Sequence, residues 1–328
     1  MTRPRSELIP ESSCGVFHLV TRCVRRERLL DRGERKVWLC RGLAGWFRHM
    51  GIDLLAYSVM GNHLHLVVRL RPDVVEGWSK TELARHALAV LPVRSGPSLE
   101  PLSVSPAVVE RYADNAKWLA QQRLRLSSPS WLLRLVKQEV SRRANAEDGC
   151  TGHFWEKRFT SVALLDEAAT LACMVYVDLN PLRAGIVKTP EASLFTSIRH
   201  RVARVRAGTR SDASSADSDL GVQLIAMPQC APPHERTGAQ ERWTISEGDY
   251  LDMIDETARH LAAGKRGVLA AEALPLVQRL GITPAAWTAT MREGGSMLGS
   301  ALGGPEARQR WATSRGQSWA ADKSGLWE

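Results

Sequence analysis

The sequence has no long hydrophobic run and no paired cysteines. No stretch of about 18 or more apolar residues is present, and no charged start precedes an apolar segment, so neither a membrane span nor a secretory signal is indicated. The six cysteines are scattered without a Cys-x-x-Cys pair, which argues against a disulfide framework and against a cysteine zinc site. We therefore expect a cytosolic protein that keeps its thiols free and does not associate with membranes.

Positive charge is concentrated in the first two thirds of the chain. The 328 residues have a net charge of +9. Residues 1–210 carry 33 Lys and Arg against 20 Asp and Glu, whereas residues 211–328 carry 11 against 15. Such a basic region attracts phosphate-bearing polymers, and the alternative is a solvated arginine-rich surface. Nucleic acid is the partner class that this charge distribution favours.

The length allows one large domain or two smaller ones, and changes in composition along the chain favour a large domain followed by a small one. Residues 1–206 are predicted to form the large domain, with an inserted segment at about 71–130. Residues 207–242 are rich in Ser, Asp and Pro and predict a linker. Residues 243–328 predict a small helical module, and neither its role nor that of the insertion follows from the sequence. The helices predicted in this module span 250–263 and 270–280.

Strand and helix patterns alternate in the large domain, which is typical of an α+β fold. Gly61-Asn62 is a turn between two predicted strands and makes them antiparallel. Asp166 is a good N-cap for the helix that follows it. The predicted strands are 15–24, 52–60, 63–70 and 153–162. The predicted helices are 34–50, 79–91, 108–122, 131–146 and 167–179.

Two histidines alternate with aliphatic residues in the third predicted strand, which is preceded by the turn in VMGNHLHLVV. Because successive side chains of a strand point to opposite faces, His63 and His65 share one face. Leu64, Leu66 and Val68 form the other face, which can be buried against helices. The histidine pair is therefore either a metal-binding pair or a coincidence.

The helix predicted at about 167–179 places a tyrosine near an asparagine. On a helical wheel, Tyr176 and Asn180 lie one turn apart on the side opposite an apolar stripe, next to small residues that leave room for a ligand. The alternative is that Tyr176 is a half-buried aromatic residue and Asn180 a helix cap before proline. The apolar stripe predicted to pack on the sheet comprises Leu171, Met174, Val175 and Leu179.

Two imidazoles and an amide oxygen suit Mn²⁺ or Mg²⁺, although imidazoles equally bind zinc. A tyrosine hydroxyl becomes a competent nucleophile when a metal ion neutralises charge developing on a phosphate. Attack on DNA would leave a covalent phosphotyrosine that keeps the energy of the phosphodiester, so a second strand could be joined without ATP. The alternatives are a hairpin-specific DNA-binding protein without turnover and a zinc-binding regulatory protein.

Three separated motifs resemble those of the REP-associated tyrosine transposases, a branch of the single-tyrosine transposases whose HUH signature has a bulky apolar residue between two histidines. The motifs are NHLHLVV, GHFWEKRFTSVALLDEAA and YVDLNPLRAGIV, and the resemblance covers about residues 14–200. It implies a ferredoxin-like (RRM-like) antiparallel sheet with helices on one face. The long insertion and the C-terminal module depart from the compact members of the family.

The resemblance also implies roles for particular residues. His63 and His65 would bind a divalent ion, Mg²⁺ or Mn²⁺, with Asn180 as the third ligand, and Tyr176 would be the nucleophile that forms a 5′-phosphotyrosine. The substrate would be single-stranded DNA beside a REP-like palindromic hairpin, bound by a protein that we expect to be monomeric and nucleoid-associated. Basic residues predicted to contact DNA, each with a solvated surface residue as the alternative, are Lys137, Arg142, Arg143, Lys157, Arg158 and Arg183.

Overall fold

The structure is a computed structural model. It describes residues 14–91, 94–95, 100–101, 104–156, 158–208, 222, 224, 245–262, 277–278, 280–293, 299–318, 320 and 324–327.

A five-stranded sheet forms the centre of the molecule, and its strands follow the spatial order β2-β3-β1-β6-β7. β1 pairs antiparallel with β3 and β6, β2 pairs antiparallel with β3, and β7 pairs parallel with β6. The expected α+β class and the antiparallel core are thus confirmed. The strands of this sheet are β1 (Gly15–Arg22), β2 (Ile52–Val59), β3 (His63–Leu70), β6 (Thr160–Leu164) and β7 (Ala301–Leu302). A separate two-stranded sheet comprises β4 (Arg94–Ser95) and β5 (Glu100–Pro101).

Helices follow the strands in the order expected for a ferredoxin-like core and continue into the C-terminal module. The helices of the first 150 residues are α1 (Arg35–Phe47), α2 (Pro72–Gly77), α3 (Lys80–Val90), α4 (Pro106–Ala113), α5 (Ala116–Leu126) and α6 (Pro129–Glu147). The later helices are α7 (Glu167–Asp178), α8 (Asn180–Arg183), α9 (Ser197–Gly208), α10 (Glu247–Ala262), α11 (Pro284–Glu293) and α12 (Pro305–Thr313). Short 3₁₀ turns occur at Val24–Arg26, Leu29–Asp31 and Pro190–Ala192.

Both faces of the sheet are covered, which corrects the expectation of helices on one face. Leu64, Leu66 and Val68 lie on what we call the aliphatic face, in one buried cluster with residues of α1 and α6. Val16 and Val67 lie on the opposite face, which we call the histidine face, in a second cluster with α7 and α10. The cause is the composition of the strands: apolar residues lie on both alternating sides, with Val16, Val67 and Val162 beside the histidines on the second, so each face is removed from water.

The strand predicted at 153–162 is wrong in its first half, since β6 begins only at Thr160. Phe154, Trp155 and Phe159 are buried in the aliphatic-face cluster rather than alternating between two faces. Trp155 makes an isolated bridge to Cys23, and its indole N–H donates to the Lys137 carbonyl at 3.2 Å. Burial of aromatic side chains on one side therefore overrides the strand pattern here. Trp155 is thus a core residue, 4% exposed.

The inserted segment forms helices α2 to α5 and packs on the aliphatic face through residues such as Leu83 and Leu119. Ser79 caps α3 in a reciprocal capping box with Glu82. The helix predicted as one piece at 108–122 is divided into α4 and α5, because the side chain of Asn115 accepts a hydrogen bond from the Trp118 N–H at 3.0 Å and starts a new helix.

The C-terminal module belongs to the same packed structure as the large domain. It supplies β7 to the sheet, and α10 packs against α7, α8 and α9. Most of the predicted linker lies outside the described residues, but Val222 and Leu224 are described and are buried in the aliphatic-face cluster. The helix predicted at 270–280 also lies mainly outside the described residues. Within the described part of the chain, no helix is long and apolar enough to cross a membrane.

Candidate active site

His63 and His65 lie side by side on β3 and face the same way, as their alternation predicts. Their ring centroids are 4.7 Å apart. His65 is 1% exposed, whereas His63 is half-buried near the turn that precedes the strand. The Nδ1 atom of His63 is 2.6 Å from the side-chain oxygen of Asn62, which holds the ring at this end of the strand.

A third histidine, His18, joins this pair from the neighbouring strand. A hydrogen bond of 2.8 Å joins His18 Nε2 and His65 Nδ1, and the two rings are stacked with centroids 5.0 Å apart. In the β1–β3 register Val20 lies opposite His65, so His18 is its diagonal neighbour on the same face. Sequence reasoning missed His18, because the strand pattern around it does not reveal which strand β1 pairs with.

Tyr176 points at the sheet, against the orientation predicted from the helical wheel. Its ring lies edge-on to His65 and His18, with centroid separations of 5.9 and 6.2 Å. The small residues on the same side of α7, including Ala169 and Ala172, are fully buried and let the helix approach the strands closely. The far side of α7 is covered as well, so every residue from 169 to 178 is buried.

Arg183 connects the tyrosine to the asparagine. Its Nη2 atom donates to the Tyr176 hydroxyl oxygen at 3.0 Å and to the Asn180 side-chain oxygen at 3.3 Å. Its guanidinium also lies over the Tyr176 ring, 4.3 Å from the centroid. Tyr176 and Asn180 are 6% and 4% exposed, respectively, and Arg183 is half-buried above them. The three side chains therefore form one cluster at the end of α7.

Burial and positive neighbours keep His63 and His65 neutral. Burial, reinforced by the charges of Arg22 and Arg183, lowers the pKa of His63 to about 3. Complete burial and the neighbouring His18 hold the pKa of His65 well below its usual range. A neutral imidazole has a nitrogen lone pair, which is the form that binds a metal ion.

Buried polar atoms without a hydrogen-bond partner at this site include His65 Nε2, Asn180 Nδ2 and Arg183 Nη1. An unsatisfied buried polar group costs about 1–3 kcal/mol, so these atoms indicate that the site is completed by something else. A neutral imidazole nitrogen and an amide oxygen fit a divalent cation, whereas the N–H groups of Asn180 Nδ2 and Arg183 Nη1 would be satisfied by an acceptor such as a phosphate oxygen. Among the residues that the structure describes, no group of three or more His, Cys, Asp and Glu is arranged to hold a metal. Any ion here would depend on Asn180 in addition to the histidines.

Most of the basic residues predicted to contact DNA lie away from this cluster. Lys137, Arg142 and Arg143 are on α6, which covers the opposite face of the sheet. Arg158 is exposed in the segment before β6, and Lys157 lies outside the described residues. Arg183 alone of this predicted set is described within the cluster, and a DNA-binding role for the others stays a prediction.

A second tyrosine, Tyr57 on β2, is a core residue. It is fully buried, and its hydroxyl oxygen lies 2.8 Å from His200 Nε2. Its side chain belongs to the aliphatic-face cluster, whereas Tyr176 belongs to the cluster on the histidine face. Tyr176 is therefore the tyrosine that the fold brings to the paired histidines.

Comparisons with known proteins give one structural similarity. No protein-family model matches this chain, and no curated protein matches it. One solved structure is similar, with 15% sequence identity and a TM-score of 0.38, over 62% of this chain and 87% of the other. It is the structure of a REP-associated tyrosine transposase bound to a REP hairpin.

Proposed function

We propose that this protein cleaves and rejoins single-stranded DNA beside a palindromic hairpin, with Tyr176 as the nucleophile. The observation that carries the proposal is convergence: a tyrosine from α7 lies within 5.9 Å of a histidine ring on β3, and its hydroxyl oxygen accepts a hydrogen bond from an arginine. The tyrosine and the histidine are more than 100 positions apart in the sequence. The three sequence motifs that resemble the REP-associated tyrosine transposases supply the substrate class.

Each residue of the cluster has a role in this reaction. His63, His65 and Asn180 would hold Mg²⁺ or Mn²⁺, and the bound ion would neutralise charge on the scissile phosphate. The Tyr176 oxygen attacks phosphorus, the bond from phosphorus to the 3′ oxygen breaks, and a 5′-phosphotyrosine and a 3′-hydroxyl result. The phenol gives up its proton, and the departing 3′ oxygen takes one up. Attack by the 3′-hydroxyl of a second strand reverses these steps and joins the strands.

Arg183 stabilises the reacting form of Tyr176. An N–H donor 3.0 Å from the phenol oxygen favours the negative charge that develops when the hydroxyl loses its proton. The guanidinium is already charged, and its attraction to the phenol oxygen grows when that oxygen becomes negative, so the contact strengthens during attack. The same guanidinium covers the Tyr176 ring, and it must turn aside or share its donors when a phosphate enters.

The second candidate function is hairpin binding without turnover. The burial of Tyr176, which is 6% exposed beneath Arg183, favours it, because a nucleophile must be reachable by its substrate. The two candidates differ in one product, the covalent bond to DNA.

The test is incubation of the protein with Mn²⁺ and a labelled hairpin oligonucleotide that has single-stranded flanks. The proposal expects a labelled protein that survives denaturing electrophoresis, with the label on the peptide that contains Tyr176. Tyr176→Phe should abolish the adduct, whereas Tyr112→Phe, a half-exposed tyrosine of α4, should leave it unchanged. Binding of the hairpin without any adduct under Mn²⁺ or Mg²⁺ would favour the second candidate.

The ion is tested separately from the reaction. Titration calorimetry of the wild-type protein with Mn²⁺ should show one site, and His65→Ala should remove it. A tightly held zinc ion in the purified protein, together with an unchanged function in Tyr176→Phe, would instead support a zinc-binding regulatory protein.

A further inference from the structure

A cavity of about 550 Å³ opens between α1, α3, α5 and α6, on the aliphatic side of the sheet and therefore away from Tyr176. We call it the tryptophan groove. Its walls bring together aromatic and basic side chains from elements that are distant in the sequence, and the inserted segment supplies two of its four helices. The aromatic and basic residues of the tryptophan groove are Trp46, Trp118, Trp131, Arg125, Arg134 and Arg142.

Two of the three arginines of the groove stack on one indole ring. The guanidinium groups of Arg125 and Arg134 lie 4.3 and 4.6 Å from the centroid of Trp131. A stacked guanidinium keeps its N–H donors at its edge, where they can bind a phosphate. Glu139 is the one acidic residue of the walls, and it pairs with Arg142, so the groove keeps an excess of positive charge.

A buried amide in the groove has an unmatched acceptor. Gln122 is 1% exposed and lines the cavity. Its Nε2 atom donates to the Trp118 carbonyl at 3.3 Å, which fixes the orientation of the amide. Its Oε1 atom has no hydrogen-bond partner. A buried acceptor without a donor destabilises the protein, and an N–H or NH₂ group of a nucleobase would satisfy it.

We propose that the tryptophan groove binds a single-stranded segment of DNA. Bases would stack on Trp46 and Trp118, and phosphates would contact Arg134 and Arg142. Sequence-tolerant binding of single strands combines aromatic platforms with a positively charged groove, and both are present here. The bases of a duplex are stacked on one another and cannot reach the indoles, so the ligand is single-stranded. The choice of DNA over RNA rests on the function proposed above.

This site would add a second contact to the one at Tyr176. Because the groove and the tyrosine lie on opposite faces of the sheet, a strand held in the groove is not the segment being cleaved. The groove would therefore hold DNA that flanks the hairpin. It also assigns a role to the inserted segment, since α3 and α5 form part of its walls.

The test measures binding of a fluorescent oligodeoxythymidylate of about 20 nucleotides by anisotropy. The protein carries Tyr176→Phe and the buffer contains EDTA, so that no covalent bond to DNA can form. The measured affinity for the oligonucleotide therefore does not depend on whether the wild-type protein is a transferase. Trp118→Ala is expected to weaken binding about 5-fold to about 100-fold, because one stacking platform is lost. Arg134→Gln is expected to make the slope of log K against log salt less steep by about 0.7.

Matched control variants distinguish the loss of DNA binding in the groove from general effects of replacing a tryptophan. Trp311→Ala removes a tryptophan of α12 that is also stacked by an arginine, Arg315 at 4.5 Å, and it should bind as the parent protein does. Arg134 is exposed, so Arg134→Gln should fold normally. This variant therefore tests the groove even if Trp118→Ala does not fold. Unchanged affinity and salt slope in Arg134→Gln would overturn the proposal. Tighter binding of the matching RNA oligonucleotide would overturn the assignment to DNA.

Discussion

His18 Nε2 lies 2.8 Å from His65 Nδ1, and the rings of these two residues are stacked across neighbouring strands. This contact leaves Nε2 of His65 as the nitrogen available to a ligand, and that atom is buried without a partner. Histidines that bind metals commonly fix their orientation through a hydrogen bond at the second ring nitrogen. The site at β3 thus has a supporting residue that is far from it in the sequence.

Removal of this support should weaken ion binding. We expect His18→Ala to lower the affinity for Mn²⁺ about 10-fold to about 100-fold, because His65 loses the contact that orients its ring. Titration calorimetry measures the affinity, and circular dichroism checks the fold. His49→Ala, which changes a half-buried histidine on the other side of the sheet, serves as the control. Equal affinity for Mn²⁺ in folded His18→Ala and wild-type protein would contradict this prediction.

The contact between Arg183 and Tyr176 should control the rate of adduct formation. Arg183→Gln removes the charged donor 3.0 Å from the phenol oxygen. A hydrogen bond to a charged group contributes about 1.5–3 kcal/mol, so we expect the single-turnover rate to fall about 10-fold to about 150-fold. Arg183→Lys keeps the charge but loses the planar stacking, and its rate should be intermediate. Arg259→Gln, an exposed change on α10, should leave the rate as it is. A normal rate in Arg183→Gln would remove Arg183 from the mechanism.

The C-terminal module should stabilise α7 through a buried carboxyl group. Asp178 accepts hydrogen bonds from the Tyr250 hydroxyl at 2.8 Å, from the Ile198 N–H at 3.0 Å and from the Ser197 hydroxyl. Burial raises the pKa of this carboxyl, so loss of a donor is costly. We expect Tyr250→Phe to lower the free energy of unfolding by about 1–3 kcal/mol.

Urea denaturation measures this loss as a lower midpoint at an unchanged slope. Tyr112→Phe is the matched control and should change the unfolding free energy by no more than about 0.5 kcal/mol. If Tyr250→Phe unfolds at the wild-type midpoint, the module does not stabilise α7 through this contact.

An ion-pair cluster at the end of α6 predicts a pH-dependent stability. Arg35 is fully buried and donates to Glu147 at 2.7 Å and to Asp148. The hydrogen bond from Arg35 lowers the pKa of Asp148 below its ordinary value of 3.8. A carboxyl with a lowered pKa stabilises the folded state above that ordinary value, and its contribution disappears as the pH falls through the folded pKa.

Asp148→Asn should therefore destabilise the protein at pH 7, and the difference from wild type should shrink once the pH falls below 3.8. Urea unfolding at a series of pH values measures this difference. Asp255→Asn, an exposed partner of Arg259, should differ little from wild type at any of them. A difference for Asp148→Asn that stays constant with pH would show that the hydrogen bond to Arg35 does not set its pKa.

Much of the local structure followed from the sequence. The alternation at His63 to Val68 predicted which residues share a face, and β3 begins and ends where the pattern does. Asp166 was identified as the N-cap of α7, and its side chain accepts from the Ala169 N–H at 2.8 Å. These features depend on neighbours in the chain, so residue type and spacing are enough to determine them.

The tertiary structure alone decided how these pieces meet. Pairing of β1 with β3 brought His18 to His65, and the covering of the second face by α7 and α10 turned Tyr176 toward the sheet. Helical spacing shows which residues share a side of a helix, but it does not show which of two apolar layers that side will contact. The tryptophan groove has the same origin, since its helices come together only when the aliphatic face is buried. Contacts between distant segments reflect the whole core, and for that reason the sequence pattern of any one element does not contain them.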